Sequence, residues 1–173
     1  MSNARILADL MGTSTTVPSS KLSLAAADLP SGSVLQIQTG ELTTQYQNTS
    51  SYADVGLSVT ITPSSSSSKI YIFMNTTAYL PTSSGFGMQL FRDSTEIYDP
   101  SAENATGPIA FYNRTTGSIY GSAVLQYLDS PATTSAITYK IKARNYDTDV
   151  SYFTRTLGTQ VSKAHITAME IAG

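Results

Sequence analysis

The side chains that most often perform catalysis or bind metals are scarce in this sequence. His165 is the single histidine, and the 173 residues include no cysteine. A two-histidine zinc site and any thiolate site are therefore excluded. A catalytic serine triad would need this histidine beside an activated serine, and the GxSxG motif is absent. We interpret His165 as an ordinary strand residue, and we predict no catalytic residue and no enzymatic activity.

One polar segment has a spacing typical of calcium ligands. Asn145, Asp147 and Asp149 stand at positions i, i+2 and i+4, as in the first half of a calcium-binding loop. The glycine and the distant glutamate of that loop are missing. A turn whose Asn and Asp side chains bond to the local backbone explains the same residues. We therefore predict no metal site and no cofactor, with calcium binding as the alternative.

Tyrosines are the remaining side chains with a clear binding chemistry. The chain has 11 of them and no tryptophan. A tyrosine ring combines a flat apolar face with a hydroxyl, which suits both sugars and protein partners. Tyr98, Tyr112, Tyr120 and Tyr146 flank predicted loops or strand ends, and we predict that they contact a partner or receptor. The alternative for each is that tyrosine simply favours half-buried strand positions.

Composition restricts the classes of partner. Only 13% of the residues are charged and the net charge is −2, so the surface lacks the positive field that attracts nucleic acid. No apolar run approaches the roughly eighteen residues of a membrane-spanning helix. We expect neither nucleic-acid binding nor membrane insertion.

Residues 1–33 differ in pattern from the rest of the chain. Ser2 can cap a short helix and Gly12 can end it, and Thr13 to Ser33 then reads as a linker or extended arm. The apolar residues of this helix share one face: Ile6, Leu7, Leu10 and Met11. Because a helix of about ten residues is marginal in water by itself, we predict that this face anchors the chain to another protein. The alternative is that the helix docks on its own domain or is simply frayed.

Residues 34–173 read as short strands separated by turns. In "ITYKIKAR", from Ile137 to Arg144, apolar and polar residues alternate strictly, as in a half-buried strand. Lys69 to Leu80 is apolar on both faces and is predicted to be a central strand. Gly87 to Tyr98 reads as a hairpin that turns at residues 92–95, and Asp99 to Pro108 as an exposed contact loop.

About ten such strands with no amphipathic helix between them predict an all-β fold. We expect an antiparallel, jelly-roll-like β-sandwich as a head domain over residues 34–173. The short N-terminal helix and the extended arm would precede it.

Six segments carry a family resemblance. They are "SNARILADLMG" (2–12), "LPSGSVLQIQTG" (29–40), "YADVGLSVTITPSSSSSKIYI" (52–72), "GFGMQLFRDSTEI" (85–97), "YLDSPATTSAITYKIKAR" (127–144) and "ITAMEIAG" (166–173). The last five resemble a phage virion protein type of marine and other environmental phages, usually described as tail-fibre or structural protein. The first resembles the opening of many phage fibre chains, where a short N-terminal segment attaches to the particle. The resemblance includes no enzymatic motif, so it implies no catalytic residue.

The resemblance implies a structural protein of the virion, a short fibre or spike. It would attach to other virion proteins through residues 1–33 and contact a glycan or protein of the host surface. A capsid decoration or head-fibre protein is the alternative, since the β-domain begins after only about 33 residues; a lectin-like carbohydrate-binding module is the less favoured one. We expect a homo-oligomer, a trimer, because extended appendages close their sheet edges by oligomerising.

Overall fold

A computed structural model of the protein describes residues 29–100, 102–104, 107–146 and 150–173. The predicted N-terminal helix, with its anchoring residues Ile6, Leu7, Leu10 and Met11, lies outside the described residues, as do Asp147 and Asp149. No helix occurs in the described ranges, and so none there is long and apolar enough to cross a membrane.

The predicted all-β fold is confirmed for this part of the chain, whose strands pair antiparallel. They are β1 (Val34–Leu42), β2 (Tyr46–Gln47), β3 (Ala53–Ile61), β4 (Lys69–Leu80), β5 (Gly85–Arg92), β6 (Thr95–Tyr98), β7 (Ala102–Asn104), β8 (Gly107–Ile109), β9 (Phe111–Tyr112), β10 (Ile119–Asp129), β11 (Ile137–Asn145), β12 (Tyr152–Thr154), β13 (Thr156–Leu157), β14 (Gln160–Val161) and β15 (Ala164–Ile171).

Two sheets face each other across one hydrophobic core. The first sheet has the order β1-β15-β4-β12-β2, with β10 also paired to β4; the second has the order β3-β11-β5-β6, with β9 also paired to β5. Buried side chains of both sheets form a single cluster. The arrangement is sandwich-like, and β4 is central in its sheet as predicted, because β15 and β10 pair with its two edges.

Strand alternation decides which side chains enter the core. On β11, Ile137, Tyr139 and Ile141 are buried, while Thr138 and Lys140 are partly exposed on the opposite face, as predicted. Successive side chains of a strand point to opposite faces. The apolar set of β11 therefore meets the first sheet and the basic set meets water.

The predicted hairpin after Gly87 is confirmed, with its turn at Asp93 and Ser94. Asp93 has φ of 55°, a conformation that Asp adopts more readily than most residues. Its carboxylate accepts a hydrogen bond from the Thr138 backbone N–H at 2.9 Å, which joins the turn to β11.

The segment from Asp99 to Pro108 was predicted to be a loop. In the structure it contains a small hairpin. Residues 102 and 104 of β7 pair with residues 109 and 107 of β8. Backbone groups make this pairing, so turn-forming side chains in the sequence did not indicate it.

Two carboxylates are buried at the same end of the sandwich. Asp129 of β10 and Glu170 of β15 lie on either side of Ile70 of β4, in one inward-facing row. Both are buried, with 6% and 0% exposure. A charged group is tolerated there only if its oxygens are hydrogen-bonded or paired.

Gly40 lets β1 approach β3 more closely than any other residue would. A Cβ at this position would lie 1.9 Å from the Ser58 carbonyl oxygen. We expect Gly40→Ala to lower the free energy of unfolding by about 2 kcal/mol, because the added methyl group forces the strands apart. Urea denaturation followed by circular dichroism measures the change.

Gly117→Ala is the matched control for that substitution, since a Cβ at Gly117 would have no atom within 4 Å. Equal stability of the two variants would contradict the close approach of β1 and β3.

Candidate interaction surface

The two sheets present outer faces of opposite character. The outer face of the second sheet is polar: Lys140 Nζ lies 3.7 Å from an Asp54 carboxylate oxygen, and the Thr60 and Thr138 hydroxyls are hydrogen-bonded at 2.8 Å. Lys142 Nζ covers the Phe91 ring at 4.0 Å from its centroid. This face has the composition of a sheet in contact with water.

The outer face of the first sheet contains one fully apolar row. The strand register places Ile37 opposite Met169, Met169 opposite Tyr71, and Tyr71 opposite Leu128, so that one row crosses four strands. The next row adds Phe73, which lies between Thr167 and Gln126, and the row after it adds Val124, which lies opposite Asn75. We call the following six residues the apolar face: Ile37, Tyr71, Phe73, Val124, Leu128 and Met169.

Exposure of the apolar face is high at its two edges. Ile37 on β1 is 55% exposed, and on β10 Val124 and Leu128 are 46% and 50% exposed. Side chains of the two middle strands, β4 and β15, are partly buried between them. Soluble monomers rarely leave contiguous apolar surface of this kind in water, and such patches mark interaction sites.

Charged groups lie at the margin of this face. Lys163 Nζ contacts Glu41 Oε1 at 2.9 Å, and the hydrogen bond from Lys163 lowers the pKa of Glu41. His165 Nε2 lies 3.7 Å from the same oxygen. The structure places His165 in strand β15, as predicted, with its side chain exposed beside Asn75 of β4.

Tyr120 belongs to an aromatic cluster on the same outer face, separated from Val124 by the row of Ser122 and Thr77. Its ring centroid lies 5.0 Å from that of Tyr79, which lies 5.9 Å from that of Tyr152. The Arg155 guanidinium carbon is 3.5 Å from the Tyr79 centroid and 5.1 Å from the Tyr152 centroid. The Tyr79 and Ser118 hydroxyls are hydrogen-bonded at 2.9 Å; this bond and the guanidinium lower the pKa of Tyr79. A cation held against aromatic faces stiffens the cluster.

Tyr112 and Tyr146 form a second pair, with ring centroids 4.8 Å apart. The Arg114 guanidinium lies 6.0 Å from the Tyr112 centroid, and the Tyr112 hydroxyl donates to the Ser83 carbonyl oxygen at 3.2 Å. This pair is anchored to the loop that precedes β5.

Tyr98 forms a third pair, stacked on Tyr127 with centroids 4.9 Å apart. Both rings pack against the core cluster between β6 and β10. The four tyrosines predicted as contact residues therefore fall into three separate aromatic groups. Of the four, Tyr120 lies on the same outer face as the apolar face, and 46% of its surface is exposed.

Asn145, the described member of the calcium-like spacing, is part of a buried polar network. Its amide nitrogen donates to the Asn48 carbonyl oxygen at 3.0 Å. Its amide oxygen accepts from the backbone N–H and the hydroxyl of Ser151 at 3.1 and 2.8 Å. Because both ends of the amide are engaged, Asn145 acts as a structural residue. Among the described residues, no group of three or more His, Asp and Glu side chains is arranged to hold a metal ion.

Sequence reasoning missed the apolar face, although a signal for it was present. On β10 both phases of the alternation contain apolar residues: Ala123 and Leu125 point to the core, while Val124 and Leu128 point outward. Apolar residues on both faces of a strand indicate that both faces are covered. Where the outer face of such a strand is uncovered in the protomer, its apolar residues indicate contact with another chain.

No protein-family model matches the chain, and no curated protein matches it at a significant level.

Proposed function

We propose that the protein is a structural protein of a phage virion, a short fibre or spike-like appendage. Residues 34–173 form its head, and residues 1–33 attach it to other virion proteins. The apolar face is the observation that supports an assembly role. Interfaces favour aromatic residues and methionine and are depleted of charge at their centre, as this face is. The segments that resemble phage fibre proteins support the virion as the location.

We infer a jelly-roll-like strand arrangement for this head and a trimer as its assembled form. The long-range pairings of the first sheet support the arrangement, since β1 pairs with the final strand β15 and β4 pairs with both β10 and β15. Antiparallel strands joined by long connections are the hallmark of such sandwiches.

Contact with the host surface is part of the proposal, and the cluster of Tyr79, Tyr120 and Tyr152 is its best-supported location. Neighbouring tyrosine rings that are at least partly exposed offer flat faces on which sugars and protein loops pack. The Arg155 guanidinium packs against two of the rings, those of Tyr79 and Tyr152.

Localisation on intact particles tests the proposed function. We expect antibodies against the protein, or difference density in cryo-electron microscopy, to mark the tail or neck of the phage particle. Label distributed over the head instead would establish the decoration or head-fibre alternative. Purified particles without label, together with specific binding of the purified protein to a glycan array, would refute the virion role and support a lectin-like module.

A further inference from the structure

We infer that the apolar face is covered by another copy of this chain, so that the first sheets of neighbouring protomers pack against each other. The inference rests on the proposed function and names the surface through which its oligomer forms. Three observations support it: the position of the charges, the unprotected edge of strand β10 and the area of the face.

The charges allow two copies to approach at this surface. The nearest ion pair, Lys163 with Glu41, is internal to one protomer, and its charges lie at the margin of the face. The centre contributes Tyr71, Phe73 and Met169, which carry no charge. With a net charge of only −2, two copies also repel each other weakly.

Strand β10 is an edge strand without the usual protection. In the described part of the chain it pairs with β4 alone. From Ile119 to Leu128 it contains neither a charged residue nor proline. Exposed edges of monomeric proteins are commonly guarded by lysine, proline or bulges, because an open edge invites another chain. An edge that a partner covers needs no such guard.

The area of the face fits within a protein interface. Four strands spaced about 4.8 Å apart, over roughly five residues of about 3.4 Å each, give roughly 330 Å² in projection. A standard interface buries about 800 Å² of accessible surface on each partner, and accessible surface exceeds projected area because side chains protrude. Neighbouring copies of the chain can therefore cover the whole face.

The predicted helix of residues 2–11 is too small to do so. A helix of ten residues is about 15 Å long and about 10 Å wide, so it would cover less than half of the face. A second copy is the occupant that the area favours.

The oligomeric mass of the full-length chain tests the inference. We expect light scattering after size exclusion to give a multiple of the protomer mass, threefold for the proposed trimer. The double variant Val124→Lys/Leu128→Lys should associate at least a hundredfold more weakly, because it places two ammonium groups in an uncharged interface. Both side chains are about half exposed in the protomer, so circular dichroism should show an unchanged β-sheet signal.

Leu157→Lys is the matched control, since Leu157 lies on β13 outside the apolar face and is 65% exposed. It should leave the mass unchanged. If the double variant loses its β-sheet signal, the single variant Leu128→Lys replaces it, with the same expected dissociation.

Four outcomes would overturn the inference. A monomeric wild-type chain at high concentration would assign the face to a different protein, and an oligomer unaffected by the lysines would assign assembly to another surface. If Leu157→Lys dissociated the oligomer as much as the double variant does, the effect of the lysines would not be specific to the apolar face. Dissociation by Leu7→Asp/Leu10→Asp but not by the lysines would assign assembly to the N-terminal segment. Each outcome leaves the label on phage particles unchanged, so it is distinguishable from failure of the proposed function.

Discussion

Asp129→Ala is expected to lower the free energy of unfolding by about 3 kcal/mol, the largest effect of a single substitution that we predict. The Asp129 carboxylate accepts two hydrogen bonds from Arg92 Nη1, at 3.1 and 2.9 Å, and one from the Tyr139 hydroxyl at 2.7 Å. Alanine would leave a partly buried guanidinium without a counter-charge and a fully buried phenol without an acceptor. Removing one member of such a group costs more than the group contributes in total, because the remaining members stay desolvated.

The three residues connect both sheets. Asp129 ends β10 of the first sheet, while Arg92 ends β5 and Tyr139 lies in β11 of the second. Burial raises the pKa of Tyr139, and its hydrogen bond to Asp129 raises it further, so the phenol remains a neutral donor at any physiological pH. Loss of Asp129 should therefore loosen the packing of β10 on the second sheet.

Tyr139→Phe is the matched control, because it removes one hydroxyl and keeps the ring. It should lower the free energy of unfolding by about 1 kcal/mol, the usual contribution of one hydrogen bond. Urea denaturation at neutral pH measures both variants. If Asp129→Ala were no less stable than Tyr139→Phe, the ion pair between Asp129 and Arg92 would contribute nothing to the free energy of unfolding.

Glu170→Gln is expected to lower the free energy of unfolding by about 2 kcal/mol at neutral pH and by much less in acid. Glu170 accepts hydrogen bonds from the backbone N–H and hydroxyl of Ser64, at 2.7 and 2.6 Å, and from Gln36 Nε2 at 2.6 Å. A glutamine has one carbonyl oxygen for these three donors. The substitution therefore loosens the serine-rich turn where it meets β1 and β15.

The pH dependence follows from the direction of the pKa shift. Burial raises the pKa of Glu170, but the hydrogen bonds from Ser64 and Gln36 outweigh it and hold the pKa below its ordinary value. A carboxyl whose pKa is lower in the folded chain stabilises the fold above its unfolded pKa. That contribution is lost as the pH falls through the folded pKa.

The measurement compares wild type and Glu170→Gln by urea denaturation from neutral pH to about pH 3, below the ordinary range of glutamate. The difference between them should narrow as the pH falls, because a protonated Glu170 resembles glutamine. Glu96→Gln, at an exposed position of β6, should match wild type throughout. A difference between wild type and Glu170→Gln that stays constant with pH would show that the charge of Glu170 does not matter.

Local patterns predicted the strands well. The alternation from Ile137 to Arg144 correctly separated the buried and exposed faces of β11, and the two apolar faces of Lys69–Leu80 correctly marked a central strand. The same patterns placed Tyr98 and Tyr120 in one class of contact residues. The structure separates them, since Tyr98 packs against the core and Tyr120 lies on an outer face.

The sequence by itself determined the all-β fold and the side of each strand on which a residue lies, because a two-residue period is a local property of the backbone. Only the tertiary structure decided that Ile37, Met169, Tyr71 and Leu128 share one row, and that Asp129 meets Arg92 across 37 positions of the chain. Such contacts between distant residues depend on sheet order and strand register, which are determined by the packing of segments that lie far apart in the sequence. No window of the sequence contains that information.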